Sequence, residues 1–167
     1  MKPLVLVGFM CAGKTTVGRL SAERLAIPFV DTDEEIERLH APIEELFASR
    51  GEREFRRIER EVVDAALRRD GVVALGGGAF AQPGAADEIL ARGRVAWLRV
   101  SPERVLQRAG DRVRPLLGPA PARERVEELL AQREPLYARA HLTVDADDDA
   151  ERIAARLVAW YAGEGER

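Results

Sequence analysis

Gly8-Phe9-Met10-Cys11-Ala12-Gly13-Lys14-Thr15 matches the phosphate-binding pattern G-x-x-x-x-G-K-[ST] at every fixed position. No other stretch narrows the possible folds as far. The run Leu4-Val5-Leu6-Val7 ahead of it is short and apolar, which predicts a buried strand. Behind it, Val17, Leu20, Ala22 and Leu25 recur at helical spacing. Strand, glycine-bounded loop and helix in that order aim backbone N–H groups and the positive end of a helix at one point, which suits an anionic phosphate. Lys14 then reaches the β- and γ-phosphates, and the Thr15 hydroxyl becomes a ligand for Mg²⁺. Of 26 basic residues only Lys2 and Lys14 are lysine. A chain that otherwise uses arginine has kept lysine where a compact ammonium fits and a planar fork does not.

The remainder alternates between the same two element types. Residues 27–30, 72–75, 95–100 and 142–144 read as strands, and 34–39, 42–49, 52–69, 85–91, 124–139 and 150–162 as helices. Ser101-Pro102-Glu103 opens a further helix with an N-cap, a proline at the first helical position and an acid in the first turn. Residues 110–122 hold three prolines, two glycines and two arginines without a period, which predicts a mobile loop. Five strands alternating with helices predict an α/β fold, a parallel sheet covered by helices on both faces, in one domain spanning 1–167. In such a sheet ligands bind along the edge formed by the carboxyl ends of the strands.

Composition removes several function classes. A net charge of −3 gives no global attraction to nucleic acid or to an anionic membrane. No segment approaches the ~20 apolar residues of a membrane span, and Met1-Lys2-Pro3 running straight into a strand is not a secretory leader. One cysteine allows no internal disulfide, and with the distant His40 and His141 it makes no zinc site. The expectation is a cytoplasmic protein.

Three groups of residues fall at the predicted ligand edge. The third and fourth strands end in Gly76 and Ser101, so the acid that usually completes a phosphate-loop metal site must come from Asp31-Thr32-Asp33 after the second. A helix N-cap before Glu34 is the competing use of those acids. Gly76-Gly77-Gly78 either lets backbone touch a ligand or simply makes a tight turn. Arg56, with Glu52 at i−4 and Glu59 at i+3, reads on residues alone as a solvated, salt-bridged face, and Arg133 is equally open. Arg112 and Arg114 lie in the loop over 110–122, which can close over a triphosphate.

Gly8-Phe9-Met10-x-x-Gly13-Lys14-Thr15, Asp31-Thr32-Asp33, Gly51-Glu52-x-Glu54-Phe55-Arg56, Gly76-Gly77-Gly78, Arg114-Pro115-Leu116-Leu117 and Arg133-x-Pro135-Leu136-Tyr137, in that order and spacing, resemble shikimate kinase. The resemblance implies a P-loop, nucleoside-monophosphate-kinase-like fold with a lid at about 110–122 and a substrate-binding helical region at about 33–61. It implies transfer of the γ-phosphoryl of ATP to the 3-hydroxyl of shikimate with Mg²⁺, and a monomer is the expected state. Carried over by position, Cys11, Ala12, Gly13, Lys14, Thr15 and Thr16 hold the nucleotide phosphates. Thr15 and Asp31 serve the metal, and Asp33 holds the accepting hydroxyl. Arg56 and Arg133 grip the shikimate carboxylate, and Gly76, Gly77 and Gly78 line the ring. Arg108 lies against adenine and Arg114 comes from the lid, with Phe47 and Phe55 as apolar walls. Two departures stand out: Cys11 replaces a glycine usual in the family, and Asp145-Ala146-Asp147-Asp148-Asp149 replaces its adenine-contacting stretch. The rival expectations are a kinase of the same fold for gluconate or a nucleotide, and a nucleotide switch that phosphorylates nothing. Paired arginines suited to one carboxylate argue against the first.

Overall fold

The computed structural model describes residues 1–110 and 123–163. The loop expected over 110–122, with Arg112 and Arg114, lies outside the described residues apart from Gly110. Five strands, β1 (Leu4–Val7), β2 (Phe29–Asp31), β3 (Val72–Ala74), β4 (Arg94–Arg99) and β5 (Leu142–Asp145), form one sheet in the order β2-β3-β1-β4-β5. Every neighbouring pair is parallel. The helices are α1 (Lys14–Leu25), α2 (Thr32–Leu39), α3 (Ile43–Ala66), α4 (Ala85–Arg92), α5 (Pro102–Ala109), α6 (Arg123–Tyr137) and α7 (Ala150–Tyr161). Among the described residues no helix is long and apolar enough to cross a membrane.

β1 shows why its sequence is apolar at every position. It is central in the sheet, and successive side chains point to opposite faces. Leu4 and Leu6 enter a core with residues of α1 and α7, while Val5 and Val7 enter one with residues of α3 and α4. A strand covered on both faces has no position left for a polar residue. A third apolar cluster, Ile36, Leu46, Phe55, Ile58 and Val62, joins α2 to α3 beside the sheet. That cluster is the foundation of one wall of the site.

The boundaries differ from the sequence reading where a specific hydrogen bond intervenes. The second strand begins at Phe29, because the Ile27 N–H goes to Ala22 at the end of α1. It extends to Asp31, and α2 starts two residues earlier than expected because Asp31 itself is the N-cap. The helices expected over 42–49 and 52–69 form one run interrupted at Gly51, whose φ of 80° and ψ of 169° break the helix as a glycine can. That run stops at Ala66, ahead of the turn that brings Gly71 in for β3.

Candidate active site

The phosphate loop runs from β1 into α1. Gly8 could not be replaced without collision, since a Cβ there would lie 2.6 Å from the Leu98 carbonyl oxygen. Cys11 has a φ of 64°, left-handed backbone in a residue with a side chain. This gives a physical sense to the departure at that position, where glycine would sit without the steric cost of ~1 kcal/mol. The Lys14 ammonium is buried and donates to the carbonyls of Gly8 and Phe9 at 2.8 and 2.9 Å. Burial lowers its pKa to about 8, against the opposing pull of Asp33 and Asp31.

Asp31 is the cap of α2, and its carboxylate makes a second contact as well. One carboxylate oxygen accepts from the Asp33 and Glu34 N–H groups at 2.9 and 3.2 Å, and the other accepts from the Thr15 hydroxyl. A cap uses one oxygen, so the second is left to face the phosphate loop. Thr32 between the two acids is fully buried and its hydroxyl accepts from the Gly76 N–H at 3.0 Å, fastening the end of β2 to the end of β3. Sequence reasoning passed over it, since a hydroxyl between two acids carries no signal of its own.

Gly76 and Gly78 are bare for a reason neither expectation contained, since the site's own side chains occupy the space, whereas a Cβ on Gly77 would lie 3.0 Å from the Met10 backbone nitrogen. A Cβ on Gly76 would lie 2.5 Å from the Asp33 Oδ1, and one on Gly78 would lie 2.8 Å from the Arg56 Nη2. The Gly77 carbonyl accepts from Arg133 Nη1 at 2.9 Å and from the Tyr137 hydroxyl at 2.6 Å. Asp33, Arg56 and Arg133, from α2, α3 and α6, are therefore gathered on three consecutive residues. Gly78→Ala is expected to displace the Arg56 guanidinium and raise the KM for the carboxylate substrate that the resemblance implies about tenfold, with little change in the KM for nucleotide. Steady-state kinetics with each substrate varied in turn checks this.

The solvated reading of Arg56 is overturned. Its side chain is 15% exposed and that of Glu59 3%, with Nη1 and Oε2 2.6 Å apart. Only Glu52, 3.6 Å from Nε, is the exposed partner expected of such a face. Glu59 was read as surface and is instead part of the site, where it lies near Asp33 below Gly76. Burial, then the charges of Asp31 and Glu59, raise the Asp33 pKa to about 6, with Lys14 acting in the opposite sense. Burial raises that of Glu59 too, opposed by Arg56.

A cavity of about 540 Å³ opens above these groups, lined by Met10, Thr15, Asp31, Asp33, Phe47 and Arg56 among others. Phe55 both lines it and packs in the α2–α3 core, its ring centroid 4.6 Å from that of Phe47. On the far side of the phosphate loop lies a recess of about 290 Å³ flanked by Gly13, Thr16, Arg108, Ala146 and Asp148. Arg108 is held there by the carbonyls of Cys11 at 2.8 Å and Ala146 at 3.2 Å. The acidic run around it is spent mainly on local structure: Asp147 accepts from the Ser101 N–H and Asp149 caps α7. Ala12 lies buried in the loop between Cys11 and Gly13.

The profile of a known family, described as shikimate kinase, matches residues 10–162. The chain belongs to the shikimate kinase family. A shikimate kinase of Mycobacterium avium is 51% identical over 139 residues, covering 81% of this chain and 78% of that one. A solved structure, shikimate kinase from Acinetobacter baumannii in complex with shikimate, superposes with a TM-score of 0.92 at 36% identity, covering 100% of this chain and 96% of the other. A gluconokinase from Sinorhizobium meliloti, at 19% identity and a TM-score of 0.66 over 98% of this chain and 94% of the other, shares the fold alone. The family's P-loop kinase fold thus accounts for the sheet order and for the crowding of the site at the carboxyl ends of β1, β2 and β3.

Proposed function

We propose that this rim phosphorylates shikimate at its 3-hydroxyl with ATP, giving shikimate 3-phosphate and ADP, as the family's reaction requires. The observation that carries the assignment of residues is the gathering of Asp33, Arg56 and Arg133 on Gly76–Gly78, with Asp33 and Gly77 lining one recess with Lys14. Two guanidinium groups give one carboxylate a planar, charge-assisted grip. Asp33 then faces the accepting hydroxyl. The transition state of phosphoryl transfer is loose, so Asp33 chiefly orients the hydroxyl and takes its proton late. Lys14 and the loop amides of Cys11–Thr16 hold the phosphates, and Arg108 lies against the base. Arg114, outside the described residues, has its role from the resemblance alone.

Thr15 and Asp31 fit Mg²⁺ as two hard oxygen donors already brought together beside the phosphate loop. Bound there, the ion would neutralise charge on the β- and γ-phosphates. We read the protein as a cytoplasmic monomer without nucleic-acid or membrane partners, in keeping with its net charge of −3.

A coupled assay of ADP release with shikimate, gluconate and a panel of nucleoside monophosphates tests the function. Release should depend on shikimate and be nearly absent with ATP alone. Equal turnover without shikimate would mean a simple nucleotidase. The pH dependence tests the residues: kcat/KM for shikimate should rise as Asp33 ionises near pH 6. A profile flat between pH 5 and 7 would remove Asp33 from the reaction.

A further inference from the structure

Behind the substrate cavity, between α3 and α4, lies a second recess of about 250 Å³. Its floor is aliphatic, made by Val63, Leu67, Ala79 and Ile89. Its walls carry five arginines, 53, 56, 57, 60 and 92, against three acids, Glu59, Asp64 and Glu88. Several of these charges are already matched. Arg57 pairs with Glu54 and Glu61, Arg92 with Asp64, and Arg56 with Glu59. Arg53 and Arg60 have no carboxylate partner among the described residues, and Arg60 donates only to the Pro83 carbonyl. Arg56 Nε, buried without a hydrogen-bond partner, faces the Glu52 carboxylate at 3.6 Å, so the unused donors are those of Arg53 and Arg60. Unused guanidinium donors around an apolar floor call for an anion with an apolar body. The volume limits that body to about one ring.

We propose that this recess is a second ligand site for a small monocyclic carboxylate, its ring on the aliphatic floor and its charge held by Arg53 and Arg60. Arg56 and Glu59 line both this recess and the substrate cavity. An anion behind Arg56 and a carboxylate in front of it share one cation and repel each other. Occupation of the recess therefore weakens substrate binding, and the substrate weakens the second ligand by the same factor. The binding claim stands alone, whereas the coupling rests on the substrate role of Arg56 proposed above.

Benzoate is the probe, titrated calorimetrically into the full chain, with acetate and benzyl alcohol as controls for charge alone and ring alone. Benzoate should bind at one site and both controls at least about tenfold more weakly. Arg60→Ala should weaken benzoate about fivefold or more, and Ala85→Phe, which fills the recess, should abolish it. Neither variant should alter turnover. Saturating shikimate should weaken benzoate by a factor of about five that then levels off. Absence of benzoate binding overturns the proposal. So does binding that both variants leave unchanged and that shikimate displaces without limit, since that is occupation of the substrate cavity. Binding lost in Ala85→Phe by a protein that fails to phosphorylate shikimate would uphold the recess and overturn the proposed function instead.

Discussion

Asp33→Asn is expected to lower kcat about 10²- to 10⁴-fold and, at pH 7, to make the protein more stable. The two effects have one source. Asp33 is held among the negative charges of Asp31 and Glu59 and away from water, and its folded pKa of about 6 lies above its ordinary 3.8. The native state therefore binds the proton more tightly than the unfolded chain does. Stability falls as pH rises from about 4 to about 6, and the full penalty, at most ~3 kcal/mol, persists above that. Asparagine keeps the shape without the charge and should recover ~1–3 kcal/mol, raising the melting temperature by several degrees at pH 7 and by almost nothing at pH 4. Melting curves of both proteins at the two pH values check this. A less stable variant at pH 7 would mean that attraction to Lys14 outweighs burial and repulsion at this carboxylate.

Arg56→Ala carries the second large effect, and the burial of Glu59 makes it twofold. Loss of a charge-assisted contact to the substrate of ~2–4 kcal/mol should lower kcat/KM for shikimate roughly 30- to 1000-fold while ATP affinity stays nearly intact. The same change strands the Glu59 carboxylate, 3% exposed, without the guanidinium 2.6 Å away. Breaking such a pair from one side costs ~3–5 kcal/mol of stability. The double variant Arg56→Ala/Glu59→Gln removes the stranded charge and should regain most of that stability while shikimate binding stays weak. Thermal denaturation beside steady-state kinetics separates the two. Recovery of kcat/KM together with stability would mean that Arg56 only supports the fold and never meets the substrate.

These two residues also mark how far the sequence could be read. The phosphate loop, the strands around it and the helix after it follow from patterns contained within a few neighbouring positions. The loop glycines and the unbroken apolar run of Leu4–Val7 needed no distant partner to be recognised. The separation of the helices over 42–49 and 52–69 was legible for the same reason. The acids after β2 were legible as important, but the division of labour within Asp31, one oxygen to the helix and one to Thr15, was not. It depends on how α1 and β2 lie against each other.

Glu59 and Arg56 were misread because the rule applied to them was local. Opposite charges three residues apart on a helix usually face water. Nothing in that spacing tells that Gly76 and Gly78, on another strand's end, leave hollows into which these side chains turn. Thr32 and Tyr137 were hidden in the same way, since their hydroxyls meet Gly76 and Gly77 only once the sheet has formed.

The sequence by itself determined the strand, glycine-bounded loop and helix of the phosphate-binding pattern and the family to which the chain belongs. Hydrogen-bonding geometry and side-chain periodicity act over one or two turns and are written in consecutive residues. Tertiary structure alone decided which charges are buried, and so which carboxylate carries a raised pKa and which arginine depends on a hidden acid. The cost of a charge is set by the water and the charges around it, and here those are excluded and supplied by segments far apart along the chain.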